Sequence, residues 1–295
     1  MADKNFVARQ IMKDTWCISG EGCDCYLLIG EDEALMIDSG MSTYNIRAFA
    51  QSLTDRPVKS VINTHQHFDH TAANGWFDVI YGTEGIARSA KNVMGRDPSL
   101  YRLDYEFTIV HDGDILPLKG RTLRVIVLDC HAPGNLAVLD ETNRILFPGD
   151  ELECQQVLLL PGYAEEMGQI HSKPAASVET YYNAMSRLKA LDDKFDVICP
   201  AHNGTPIDKR YLDTYLALAK KIMDGYEGLT DLTSPTYQDN IRHFPKKEAN
   251  YRRGELDGAS LIYCADLIFD KDYEKAADFP PATQLHIDSS TTARK

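Results

Sequence analysis

The chain opens with short apolar runs in which β-prone residues are closed off by turn residues. Residues 15–20 (TWCISG), 23–30 (CDCYLLIG) and 33–40 (EALMIDSG) read as three strands, and GEDEA reads as a hairpin connection. Residues 43–53 change period: Ile46, Phe49 and Leu53 share one helical face. A strand at 59–63 (KSVIN) follows, then one at 79–81, and a helix is predicted over 83–96. Strand texture resumes from 106 to 128 (EFTIV, ILPL, TLRVIVL), and a strand pair is expected at 136–140 and 144–147 around a turn at 141–143.

Residues 175–192 form an amphipathic helix with Val178, Tyr181, Tyr182, Met185 and Leu188 as its apolar set. A strand at 195–199 (FDVIC) and a helix over 208–226 complete this half. Strands alternating with helices, twice over, predict layers in the order helix, sheet, sheet, helix. Beyond residue 228 the pattern is polar, including KKEANYRRG, with one further strand at 259–264 (ASLIYC). The expected organisation is a main domain over 1–228 and an extension over 229–295 that serves as lid, edge strand or dimer contact.

Composition narrows the class. With 295 residues, 43% hydrophobic and 25% charged, a folded soluble protein with a substantial core is expected. A net charge of −13 argues against a nucleic-acid partner. Neither a signal-like apolar run at the start nor a stretch of roughly 18 apolar residues is present, so a cytoplasmic location and no membrane partner are expected. Seven scattered cysteines (17, 23, 25, 130, 154, 199 and 264) read as reduced, mostly buried thiols.

The chemistry concentrates in Thr64-His65-Gln66-His67-Phe68-Asp69-His70, directly after a predicted strand. Imidazole and carboxylate are the usual ligands of zinc, and a lone histidine would ordinarily be a satisfied polar group. Three histidines and an aspartate in six positions are not explained by packing. A loop after a strand lets His65 and His67 reach one ion while Asp69 and His70 turn to another.

This segment resembles the HxHxDH signature of the metallo-β-lactamase superfamily. Further segments resemble the family's motifs in the family's order: MIDSG at 36–40, CHAPGNLAVLD at 130–140, FPGDEL at 147–152 and CPAHNGTP at 199–206. The resemblance covers about residues 15–210 and implies an α/β four-layer αββα sandwich. It implies that His65, His67 and His131 hold one metal and that Asp69, His70 and His202 hold a second. Asp150 would bridge the two, and Asp38 would orient the HxHxDH loop. In an alternative register Asn135 replaces His131; the spacing from 131 to the GD pair favours His131. Ala132 and Asn135 depart from the Thr or Ser usual in the family, which loosens any transfer of substrate.

The implied cofactor is two Zn²⁺ per chain, with iron or manganese as alternatives for a mixed His and Asp site. Two divalent ions can lower a water's pKa from 15.7 to about 7, so no Ser or Cys nucleophile is needed. The expected activity is hydrolysis of a small-molecule carbonyl ester, lactone, thioester or amide, with Asp69 and Asp150 as the catalytic carboxylates. Tyr163 and His171 are candidate substrate contacts; His111, His243 and His286 lie outside every motif. Alternative functions are a di-iron redox protein, which the histidine at 67 disfavours, a phosphodiesterase acting on nucleic acid, a true β-lactamase and a non-catalytic member. A homodimer is expected from the late strand, which needs covering.

Overall fold

The computed structural model describes residues 5–93, 95–159, 176–230 and 250–272. Two sheets stack face to face. The first runs in order β1 (Val7–Met12), β2 (Thr15–Ser19), β3 (Asp24–Ile29), β4 (Ala34–Ile37), β5 (Val58–Ile62), β6 (Val79–Gly82) and β7 (Phe107–Ile109). It is antiparallel through β4 and parallel from β4 to β7. Helices α1 (Ile46–Gln51), α2 (Phe68–Thr71) and α3 (Glu84–Ser89) lie in its connections. The second sheet combines β8 (Ile115–Leu116), β9 (Leu123–Val127), β10 (Leu136–Asp140), β11 (Ile145–Phe147) and β13 (Val197–Ile198). Strands β9, β11 and β13 point the same way, because β10 is antiparallel to both β9 and β11, and β13 is parallel to β11.

Side-chain alternation builds three apolar seams. Leu35 and Ile37 of β4 face Val138 and Phe147 across the gap between the sheets. Their neighbours Ala34 and Met36 turn outward onto Ile46, Phe49 and Ala50 of α1. On the far side Leu139 and Leu146 pack under α4 (Val178–Lys189) and α5 (Arg210–Met223) through Tyr181, Met185, Leu212 and Tyr215. The order is therefore helix, sheet, sheet, helix, as the periodicity predicts. A buried Arg121 ties the layers at one end. Its guanidinium donates to the Asp140 carboxylate of β10, to the Asp14 carbonyl and to the Thr15 hydroxyl of β2.

Three elements differ from the sequence reading. Strand β1 precedes the first predicted strand. The helix predicted over 83–96 is only Glu84–Ser89; Thr83 caps its first turn by accepting from Ile86 N–H, and the helix stops at Ala90. The segment read as polar contains β14 (Tyr251–Leu256), which pairs antiparallel with β15 (Ala259–Cys264). Strand β15 in turn runs parallel to β12 (Val157–Leu158), so a third sheet, β12-β15-β14, lies against α5. The arginine pair at 252–253 is half-buried in β14 rather than fully solvated. Within α4, Tyr182 is only half-buried while the rest of the predicted apolar set is buried. Among the described residues no helix is long and apolar enough to cross a membrane.

Candidate metal centre

Every site residue follows the C-terminal end of a strand, and those ends meet at one rim of the two sheets. Asp38 follows β4, and His65 and His67 follow β5; Asp69 and His70 sit in the short α2. His131 follows β9, Asp150 follows β11 and His202 follows β13. Backbone bonds lock the two sheets together along this rim: Leu136 N–H donates to Thr64 C=O at 2.8 Å, and Asp24 N–H to Ala201 C=O at 2.8 Å. The His70 carbonyl accepts from Ser39 N–H, the Ser39 hydroxyl and the Asn63 amide, which pins α2.

Asp38 organises the loop. Its Oδ1 accepts Thr64 N–H (2.8 Å), and its Oδ2 accepts the Thr64 hydroxyl (2.8 Å) and His70 Nδ1–H (2.9 Å). That last bond turns His70 Nε2 toward the cavity. Burial opposes a charge on this ring, but Cys23, Asp150, Asp69 and Asp38 outweigh it and hold it well above the usual histidine range, so Nε2 carries a proton that a metal ion would replace. His131 is oriented in the same manner: Nδ1–H donates to the Leu158 carbonyl at 2.9 Å, freeing Nε2.

Two groups of donor atoms result. In the first, His67 Nδ1 lies 2.9 Å from His65 Nε2 and 3.1 Å from His131 Nε2, and Asp150 Oδ2 lies 3.7 and 3.5 Å from those two Nε2 atoms. In the second, His202 Nε2 lies 3.3 Å from both His70 Nε2 and Asp69 Oδ2, and Asp150 Oδ1 lies 3.4 Å from His70 Nε2. A tetrahedron of ligands each about 2.0–2.1 Å from zinc has edges of about 3.3 Å, and the observed separations bracket that value. Asp150 faces both groups, and its Oδ1 is buried with no hydrogen-bond partner. The residues therefore fit a pair of ions, and the orphaned oxygen is what such a pair would satisfy.

Electrostatics agree. Every ion pair made by Asp38, Asp69 and Asp150 among the described residues is to a histidine. Burial, assisted by neighbouring imidazoles, holds His65 and His67 well below the usual histidine range; burial also lowers His131, against the pull of Asp150. These three rings are neutral and ready to donate lone pairs. Burial opposes a charge on His202 too, but Asp150, Asp69 and Glu153 outweigh it and push it up to about 9. Without metal, this imidazole carries a proton where a metal ion would supply the positive charge. Asp150 is held well below the carboxylate range despite burial, chiefly by His202 and His70.

The structure thus brings together all seven residues named as ligands, with Asp38 behind His70. Asn135 is not among them: its amide donates to the Leu136 carbonyl. Tyr163, His171, His243 and His286 lie outside the described residues. His111 is exposed and pairs with Asp114. Three buried groups escaped the sequence reading. The Cys23 sulfur clusters with Asp38 and His70 behind the second donor group. Glu151 accepts the N–H groups of Cys130 and His131, and burial pushes it up to about 8 against those two bonds. Glu153 accepts the Asn203 amide at 2.6 Å, beside His202. The available signal was two glutamates alternating with Leu152 and Cys154 directly after Asp150. Of the seven cysteines, none is disulfide-bonded; six are buried and Cys154 is partly so.

The sequence profile of the metallo-beta-lactamase superfamily matches residues 18–202, a span that holds every residue of both donor groups. The chain belongs to that superfamily. Among its relatives is the acyl-coenzyme A thioesterase MBLAC2 of Homo sapiens, 26% identical over 221 residues, covering 63% of this chain and 75% of the relative. Another is the hydroxyacylglutathione hydrolase of Maricaulis maris, 25% identical, covering 52% of each chain. Both are hydrolases by name. A metallo-beta-lactamase from Pontibacter korlensis superposes with a TM-score of 0.57 at 19% identity, over 73% of this chain and 99% of that one. The sec-alkylsulfatase Pisa1 from Pseudomonas sp. does so with 0.57 at 13% identity, over 74% and 42%. At such identities the structural likeness shows the fold alone.

Proposed function

We propose that this protein is a dinuclear zinc hydrolase of small-molecule thioesters. The observation that carries the metal reading is the convergence of seven side chains into two donor groups sharing Asp150. The thioester preference is supported by the names of the two relatives, since an acyl-coenzyme A and an acylglutathione are both thioesters. Esters, lactones and amides present the same carbonyl chemistry and stand next in order.

His65, His67 and His131 would hold one ion, and Asp69, His70 and His202 the other, with Asp150 between them. When bound, the pair supplies Lewis acidity and a water activated near neutral pH. The protein's own contribution is orientation and proton handling. Asp38 and the Leu158 carbonyl fix the tautomers of His70 and His131. The side chains of His65 and His70 are fully buried, whereas those of Asp69 and His202 are 31% and 17% exposed, so substrate approaches from the Asp69–His202 side. Asp69 is the carboxylate on that open side; despite burial, His70 and His202 hold it well below the usual carboxylate range, so it stays ionised, able to hold the second ion and accept a hydrogen bond from an incoming group.

Metal analysis of the purified protein, followed by turnover of a panel of acyl thioesters, esters and lactones, tests this. Two zinc ions per chain and thioesterase activity lost in His65→Ala/His67→Ala are expected. Activity that survives complete metal removal refutes the proposal. Two irons with a redox signal replace the zinc assignment.

A further inference from the structure

We infer that Glu151 is a positioning residue for the first donor group: it holds the backbone of the His131 loop at a fixed distance from Asp150. The inference rests on the reading of His131 as a metal ligand.

Glu151 is completely buried. Its Oε1 accepts both Cys130 N–H and His131 N–H, each at 2.9 Å, while Oε2 is buried with no partner. A buried carboxyl with one idle oxygen is costly, and among the described residues no ion pair offsets it. What it does is satisfy two adjacent amides that the loop leaves over. Leu128 and Asp129 N–H donate to the Asn135 carbonyl, Asn135 N–H to the Ala132 carbonyl and Gly134 N–H to Asp129 Oδ1, so these amides bond within the turn, whereas those of Cys130 and His131 reach out to Glu151. Removing the Glu151 acceptor would orphan two buried donors at the ligand itself.

Glu151 is anchored in turn. Its carbonyl accepts the buried Tyr181 hydroxyl of α4 at 3.0 Å, and its N–H donates to Pro148 C=O. Because it directly follows Asp150, one dipeptide carries the shared carboxylate and the clamp on the opposing ligand. His131 therefore has two fixed points, its backbone on Glu151 and its Nδ1 on Leu158, and Nε2 is left aimed at Asp150 Oδ2, 3.5 Å away.

The test compares metal-stripped wild type, Glu151→Gln, Glu151→Ala, His131→Ala and the Glu151→Ala/His131→Ala double variant, each titrated with zinc against a chromogenic chelator. Circular dichroism checks folding. Glutamine keeps the accepting carbonyl and places its amide where Oε2 is idle, so zinc affinity within about threefold of wild type is expected. Alanine is expected to weaken one of the two binding steps by about 10–100-fold, the range for residues that orient metal ligands. The double variant is expected to bind no more weakly than His131→Ala alone, because both act on the same ligand. A tenfold loss in the glutamine variant, or additive losses in the double variant, overturns the inference, and the glutamine result stands even if the alanine variant misfolds. If His131→Ala itself binds zinc like wild type, the metal assignment falls and takes this inference with it. A His131→Ala loss alongside an unaffected Glu151→Ala overturns the inference alone.

Discussion

Replacing Asp38 with asparagine changes one atom and should disable one metal ligand. The position is occupied at φ +58°, a region that Asn and Asp tolerate better than most residues, so the backbone has no reason to move. Of the three donors that converge on Asp38, two survive the change. Asn Oδ1 can keep Thr64 N–H, and the Thr64 hydroxyl can turn to accept from the new amide. The third cannot. His70 Nδ1, 2.9 Å from the former Oδ2, would face an N–H instead of a carboxylate. A metal on Nε2, the nitrogen 3.4 Å from Asp150 and 3.3 Å from His202, requires the ring's remaining proton to stay on Nδ1, where it would meet the new N–H head on. Metal binding must then rotate the ring or turn the amide away. The expected loss at the second donor group is about 10–100-fold in zinc affinity, or about 1.4–2.8 kcal/mol. Zinc competition titrations should show one weakened step and one unchanged, with hydrolysis falling alongside the weakened step. An Asp38→Asn protein that binds both ions as tightly as wild type would refute the tautomer argument.

Three further outcomes follow from the same coordinates. Arg121→Ala should lower stability by about 3–5 kcal/mol by stranding the buried Asp140 carboxylate, a drop of at least about 6 °C in thermal midpoint; an unchanged melt would show that the pair is not needed. Gly149→Ala meets φ +58° and would place a Cβ 2.6 Å from Thr64 Oγ1, so both the melting point and zinc affinity should fall, the latter because Thr64 adjoins His65. His202, pushed up to about 9 without metal, should release a proton on zinc binding at pH 7 in addition to the one His70 gives up, and none of its own well above pH 9. Calorimetry in buffers of different ionisation enthalpy would detect this, and the same group makes affinity rise with pH up to about 9. For the metal-free protein the sign reverses. A histidine raised from 6.5 to about 9 on folding contributes stability that is complete below pH 6.5 and is lost as pH rises through 9.

The layer order and the convergence of the seven candidate donors were legible because each rests on a local pattern. Alternation along β4 and β10 marks faces, and histidines two or three apart after a strand have few structural uses. What stayed hidden depends on partners remote in sequence. Strand β14 carries Arg252 and Gly254 at alternate positions where a buried face would call for apolar residues. The reason is visible only with α5 in place: a Cβ on Gly254 would lie 2.8 Å from Ile222 Cδ1, so the helix packs where a side chain would stand. Glu151 and Glu153 went unnoticed because no sequence pattern announces that Cys130, His131 and Asn203 will bring them their donors. Tyr163 and His171, expected from the sequence as substrate contacts, fall outside the described residues.

The hairpin of β14 and β15 lies some fifty residues past the last ligand, yet it stands one hydrogen-bonded strand away from the site. Strand β15 pairs with β12, where Leu158 lies opposite Ile262 and Leu159 N–H donates to Ile262 C=O at 2.8 Å. Leu158 offers its own carbonyl to His131. A chain cut back to its superfamily-matched span would keep all seven donors and forfeit the brace behind one of them. Such a fragment would be a poor surrogate in any screen for activity, because the strand that offers its carbonyl to His131 would have lost its neighbour.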